Sequence, residues 1–265
     1  MASNIFEKQY AYSRQEIKQE ATNEESLLDD LYEKIKDPDF IPSVKELREI
    51  FPNSRQDRAS EELSRFCKKD ENDPIYEFVT EELLEGLSDR IIKAVENFDK
   101  KEEDPVIVLE VGGGDGKLGY NLQKYCDKKL PDKIKVIVID KSPRNQNHLD
   151  IVEKIDSENA IGKYNPDIVI MSWMPFEVDL TEDWRNCKNV KEYILVGETD
   201  DGCCGHETLT WGTKPYYPYD WDEENPGKEF IAPHKKDGFE REDLSDIPTF
   251  SRTMESKVVS FKRNK

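Results

Sequence analysis

The sequence predicts an α/β protein with a mostly parallel sheet, preceded by a helical region over residues 1–104. Three observations carry this. The run Val106-Ile107-Val108-Leu109-Glu110-Val111 passes straight into Gly112-Gly113-Gly114-Asp115-Gly116 and then into a helical stretch from Tyr120. A buried strand feeding a glycine turn and a helix is how an α/β protein offers backbone to a ligand. Further apolar runs ending in acids or loops follow, with polar stretches between them, as buried parallel strands require. The residues before position 104 instead place apolar side chains at helical spacing.

Within that N-terminal region, residues 24–36 carry Leu27, Leu28, Leu31, Tyr32 and Ile35 on one face. Ser43 with Glu46 forms a capping-box pattern ahead of Val44, Leu47 and Ile50, and Pro52-Asn53-Ser54 stops that helix. Asp73-Pro74 offers an N-cap and a first-turn proline. Beyond it Tyr76, Val79, Leu83, Leu87, Ile91, Ala94 and Phe98 recur every three to four residues, an amphipathic helix that ends in a charged linker over residues 99–104.

The core is expected over residues 105–265. After the glycine turn, Lys135-Val136-Ile137-Val138-Ile139-Asp140 reads as the second strand and residues 151–156 as a short third. Residues 166–172 form the fourth, emptying into Ser172-Trp173-Met174-Pro175. A helix near residues 181–187, a fifth strand over 192–198 and an alternating final strand over 256–263 complete it. Residues 199–238 form a long insertion with Cys203, Cys204, His206, Trp211, Tyr216, Tyr217, Tyr219 and Trp221. Connections of that length without structure of their own usually carry function.

Three ligands compete for the glycine turn. A phosphate-cradling loop needs Ser or Thr after its lysine, and Lys117 is followed by Leu118. A dinucleotide fingerprint fits Gly114, Gly116 and Gly119, but it has no use for the carboxylate of Glu110 beside a pyrophosphate. The third option fits more residues. The segment resembles motif I of the class I S-adenosylmethionine-dependent methyltransferases, on Glu110, Gly112, Gly114 and Gly116.

That resemblance implies a Rossmann-like, mostly parallel seven-stranded sheet with an antiparallel C-terminal hairpin, and S-adenosylmethionine as cofactor. It implies that Glu110 lies near the methionine end and that Gly112, Gly113, Gly114 and Gly116 lie along the cofactor. Asp140 would accept the ribose hydroxyls, with Lys141 on the adenine side. Asp156 would read the adenine amino group, and Ser172 would sit at the reacting end. Trp173 and Glu198 would line that end too, and His206 is the candidate general base, since a nitrogen or oxygen acceptor must lose a proton. The loop Ser172-Trp173-Met174-Pro175 departs from the Asn/Asp-Pro-Pro-Tyr/Phe of the amino-group methyltransferases. Their amine-binding mechanism therefore does not carry over.

The expected activity is methyl transfer to a nitrogen or oxygen of a small molecule, with protein as the second class of acceptor. A catalytically silent scaffold of the same fold and a nicotinamide-dependent oxidoreductase are the alternatives. The net charge of −19 argues against nucleic acid, whose binding draws on lysines and arginines at phosphates. The basic residues Lys257, Lys262, Arg263 and Lys265 read as a solvated sheet edge. No apolar run approaches the ~20 residues of a membrane helix, and five irregularly spaced cysteines fit a reducing cytoplasm. Cys203, Cys204 and His206 lack a fourth ligand, so no metal is expected.

Overall fold

In a computed structural model of the chain, β1 (Val106–Val111) lies between β2 (Ile134–Asp140) and β4 (Ile168–Ser172), parallel to both. Outside them β3 (Val152–Lys154) pairs with β2 and β5 (Glu192–Gly197) with β4, again parallel. β7 (Lys257–Arg263) adds antiparallel to β5, and β6 (Phe239–Asp243) antiparallel outside it. The order β3-β2-β1-β4-β5-β7-β6 is a seven-stranded, mostly parallel sheet closed by an antiparallel hairpin, as the resemblance implied. The structure describes residues 26–55, 58–98, 104–143, 148–215, 225 and 227–264. Tyr216, Tyr217, Tyr219, Trp221 and Lys265 lie outside them.

The chain forms two compact units, Met1–Phe40 and Ile41–Lys265. Within the first, residues 26–36 form helix α1, which buries Leu31 and Tyr32 and leaves Leu27 exposed. Everything that follows belongs to the second.

Strand alternation divides the core in two. Val106, Val108, Ile168, Ile170, Ile194 and Val196 face α4 (Glu81–Val95) and α5 (Lys117–Lys129), whose Leu84, Leu87, Ile91, Leu118 and Leu122 fill that layer. Leu109, Val169, Met171, Tyr193 and Leu195 face the other way, onto Ala160 and Ile161 of α6 (Ser157–Tyr164) and Trp184 of α7 (Thr181–Asn186). With both faces covered, β1 and β5 are apolar almost without interruption. That is why they were readable as strands.

Upstream, α2 (Val44–Ile50) carries the expected capping box: Ser43 and Glu46 satisfy each other's backbone N–H groups. Next comes α3 (Glu61–Cys67), capped by Ser60. The helix expected to start at Asp73-Pro74 begins seven residues later, at Thr80, whose hydroxyl accepts from Leu83 N–H. Residues 76–78 are extended instead, drawn into pairing with the β6–β7 connection. The Phe78 N–H donates to the Phe250 carbonyl and the Arg252 N–H to the Tyr76 carbonyl. Phe51, Phe66, Phe78 and Phe250 pack as one aromatic group across the junction, with ring centroids 5.3 to 6.3 Å apart.

Two further expectations change. The basic C-terminal strand is not an edge, because β6 lies outside it. Arg263 turns inward, donating to the carbonyls of Val190, Arg185 and Cys187. Trp211 of the insertion is buried in the core and donates its indole N–H to the Cys204 carbonyl, so it closes the loop rather than offering a binding face. Arg241 on β6 clamps the insertion through a two-pronged contact with Asp200, at 2.6 and 3.1 Å. A one-turn helix, α8 (Pro233–Lys236), ends the segment.

Across the sheet, Arg90 of α4 reaches the fully buried Glu192 at 2.6 Å, and the Ser260 hydroxyl donates to the same oxygen at 2.7 Å. A buried pair of this kind is costly to halve, because the partner keeps its charge and loses its counterion. Arg90→Met is expected to lower the unfolding free energy by ~3–5 kcal/mol, and the double replacement Arg90→Met/Glu192→Met to restore most of it. Urea denaturation of the two variants measures both.

Candidate functional site

The C-terminal ends of β1, β2 and β3 converge on the glycine turn. Gly112, Gly114 and Gly116 all have positive φ, at 68°, 58° and 86°. Around them the chain leaves no room for side chains. A Cβ on Gly113 would lie 2.4 Å from Val138 Cγ1, and one on Gly116 2.6 Å from Val152 Cγ2. Packing against β2 and β3 therefore draws the turn tight.

Beneath the turn lies Glu110, 3% exposed on the face of β1 that meets α5. Its Oε2 is buried without a hydrogen-bond partner. Gly119, in the first turn of α5, makes the room: a Cβ there would stand 2.3 Å from that oxygen. α5 opens on Gly116 and has no side-chain cap. Burial pushes the Glu110 carboxyl up to about 8, and the charges of Asp115 and Asp140 add to the rise, while the Gly119 N–H offsets part of it.

Asp140 ends β2 and links to the turn, accepting from the Gly114 N–H at 3.0 Å and from the Ser142 N–H at 2.7 Å. Each of its oxygens keeps a second lone pair for a ligand hydroxyl. Lys141 follows it, and its charge reaches Asp156 just past β3. Asp156 is the N-cap of α6, accepting from Asn159 through both oxygens, and these bonds hold its carboxyl below the usual range. Helix capping accounts for that side chain whether or not adenine lies beside it.

Further along the sheet edge, the register Glu110↔Ile170 brings Gly112 level with Ser172. The Met171 methyl stands 3.0 Å from where a Gly112 Cβ would be. Trp173, next in line, has φ of 56°, rare and strained for so large a residue. It is held there by its N–H to the Val196 carbonyl at 2.7 Å and by its indole N–H to Glu77 Oε2 at 3.0 Å. Glu198, just past β5, is buried. Burial alone would raise its carboxyl, yet hydrogen bonds from Cys203 and Thr253 and the charge of Arg252 bring it below its usual value.

His206 lies in the loop that follows β5. Its Nδ1 accepts from the N–H groups of Thr208 and Leu209, at 3.1 and 3.3 Å, and its Nε2 lies 4.0 Å from Glu177. The ring thus holds its own turn, and its part as general base stands as an expectation. Among the described residues, no group of three or more His, Cys, Asp or Glu side chains is placed to hold a metal ion. Nor is any described helix long and apolar enough to cross a membrane.

Glu77 was missed in the sequence, where it sat inside an apparent helical repeat. Besides Trp173, its carboxyl accepts from the Phe250 N–H at 3.2 Å. Enclosure pushes it up to about 7 against the lowering effect of the Ser256, Trp173 and Phe250 hydrogen bonds. The only available signal was the alternation Tyr76-Glu77-Phe78, which suits an extended segment as well as a helix.

No family model matches the chain, and no curated protein is significantly similar to it. Among solved structures, the DszA carbon methyltransferase is similar at 12% identity, with a TM-score of 0.40, over 67% of this chain and 52% of that one. The CurJ carbon methyltransferase gives 14%, 0.38, 69% and 54%. The magnesium protoporphyrin IX methyltransferase ChlM from Synechocystis PCC 6803, with bound SAM, gives 13%, 0.38, 69% and 80%. The chain thus spans about half the length of the first two. Likeness at this level adds nothing to the sheet order already described.

The raised Glu110 carboxyl has a measurable consequence. Its folded value lies above the unfolded one, so stability is full below about 4.5 and falls as pH rises through about 8. Glu77 acts in the same direction, so the difference between wild type and Glu110→Gln isolates the effect. That difference should grow by a few kcal/mol, on the order expected of a buried carboxyl, between pH 5 and pH 9 as followed by chemical denaturation.

Proposed function

We propose that this chain is an S-adenosylmethionine-dependent methyltransferase. The observation that carries the reading is Glu110: a buried carboxyl with an unpartnered oxygen, packed against a turn of positive-φ glycines. A pyrophosphate would meet that carboxyl with like charge, whereas the cationic methionine end of the sulfonium cofactor suits it. The residues present fit the whole group. Asp140 keeps lone pairs for two ribose hydroxyls, Asp156 keeps acceptor capacity for an adenine amino group, and Gly112, Gly113, Gly114 and Gly116 allow main chain to approach. When bound, the cofactor supplies an electrophilic methyl group.

The chain's part is then to position and to exclude water. In-line displacement from a sulfonium depends chiefly on holding donor and acceptor in register. Ser172, Trp173 and Glu198 are the residues at hand on the neighbouring strand ends. We assign the acceptor to a nitrogen or oxygen nucleophile of a small molecule ahead of a protein. The half-buried aromatic and acidic surface around Trp173 supports this, and the charge of −19 disfavours a polyanion.

Calorimetry tests the reading. S-adenosylmethionine and S-adenosylhomocysteine should both bind, Asp140→Ala should weaken them at least about tenfold, and NADH should not bind. Glu110 is mostly protonated at neutral pH, so a cation seated against it should expel about one proton, and Glu110→Gln should abolish that release. Titrations in buffers of different ionisation enthalpy count the proton. Failure of both sulfur compounds to bind would sink the proposal.

A further inference from the structure

We propose that Tyr76, Glu77, Trp173 and Glu198 form the seat of the methyl acceptor, and that this seat takes a small organic cation whose ammonium group rests on the rings while a separate neutral hydroxyl or amino group takes the methyl, the sulfonium leaving as S-adenosylhomocysteine and the proton passing to solvent. The inference rests on the cofactor reading above and adds the substrate class. Position comes first. Trp173 leaves β4 beside the glycine turn and Glu198 leaves β5 beside Trp173, so both stand at the sheet edge one strand or two from the proposed methyl donor. Tyr76 and Glu77 are delivered to the same place from the N-terminal segment, through pairing with residues 250–252.

The chemistry of the cluster selects a cation. The rings of Tyr76 and Trp173 meet at 5.4 Å and 38°, and Tyr76 is 37% exposed. The Trp173 indole N–H donates to the Glu77 carboxyl, which makes the indole more electron-rich and its face more attractive to positive charge. The chain itself shows that the Tyr76 ring accepts a cation, because the Arg252 guanidinium lies 4.9 Å from its centroid. The same guanidinium's charge acts on Glu198, and Glu77, which accepts from the Trp173 indole, adds a second carboxyl to the cluster. Trp173 is kept in a strained backbone conformation to complete the arrangement, a feature that concentrates at ligand sites.

Choline serves as the probe, with 3,3-dimethylbutan-1-ol as its uncharged isostere. The full chain is titrated with each, followed by tryptophan fluorescence, with and without saturating S-adenosylhomocysteine. Choline should bind about five- to tenfold more tightly than the alcohol. Tyr76→Leu and Glu77→Gln should each remove most of that preference while leaving S-adenosylhomocysteine affinity unchanged, and thermal melts confirm that each variant folds. Arg252→Gln frees the Tyr76 ring and should tighten choline by about two- to fivefold, an effect no purely structural role would produce. Equal binding of the two probes, absence of choline binding, or a preference that survives both substitutions overturns the proposal. Choline selectivity without S-adenosylhomocysteine binding would uphold the seat and refute the cofactor reading alone.

Discussion

Glu110 is a carboxyl placed where the packing of β1 against α5 would ordinarily demand an apolar side chain. Its neighbours on the same strand face, Val106 and Val108, fill the layer under α4 and α5. A carboxyl there fits only because Gly119 gives up its side chain in the first turn of the helix and Gly113 gives up its own in the turn above. The local geometry follows from that substitution. α5 can lie close to β1, its N-terminus opens beside the acid, and Val138 and Val152 crowd the loop between them. The cost of holding an unpartnered carboxyl oxygen in this layer is of order 1–3 kcal/mol or more. A core with no use for the charge would place leucine here.

The proposed reacting end is assembled differently, by contacts that are distant in sequence. Tyr76 and Glu77 reach Trp173 because Phe78 packs with Phe66 and Phe250 and because the β6–β7 connection pairs with their backbone. The N-terminal helices of the second unit thereby tie the start of that unit to its last two strands, across the end of β4.

The difference in construction explains what could be read in advance. Strands buried on both faces announce themselves as continuous apolar runs, and β1, β2, β4, β5 and β7 were placed within a residue or two. The Ser43–Glu46 capping box is wholly local and formed as expected. Asp73-Pro74 carried an equally good local signal, yet the helix starts at Thr80, because the pairing of residues 76–78 with 250–252 outweighs a favourable cap. His206 was conspicuous as one of three histidines, but only the fold shows its Nδ1 occupied by two backbone N–H groups. Glu77 was invisible for the converse reason. Its significance lies in contacts with Trp173 and Phe250, 96 and 173 residues away.

Glu110 and Glu77 present one electrostatic problem at two neighbouring strands, β1 and β4. Each is a carboxyl lifted by burial toward neutrality, to about 8 and about 7, within a chain of net charge −19. Ionising either one alone sets a buried negative charge against a negative background, which is unfavourable. A cation brought to either position reverses the sign of that interaction, and the low-dielectric setting that raised the carboxyl also strengthens its attraction to the ligand. The same argument disfavours anionic ligands at both places. A donor with a positive methionine end and an acceptor carrying an ammonium group are therefore the pair that this edge of the sheet can accommodate with its carboxyls charged.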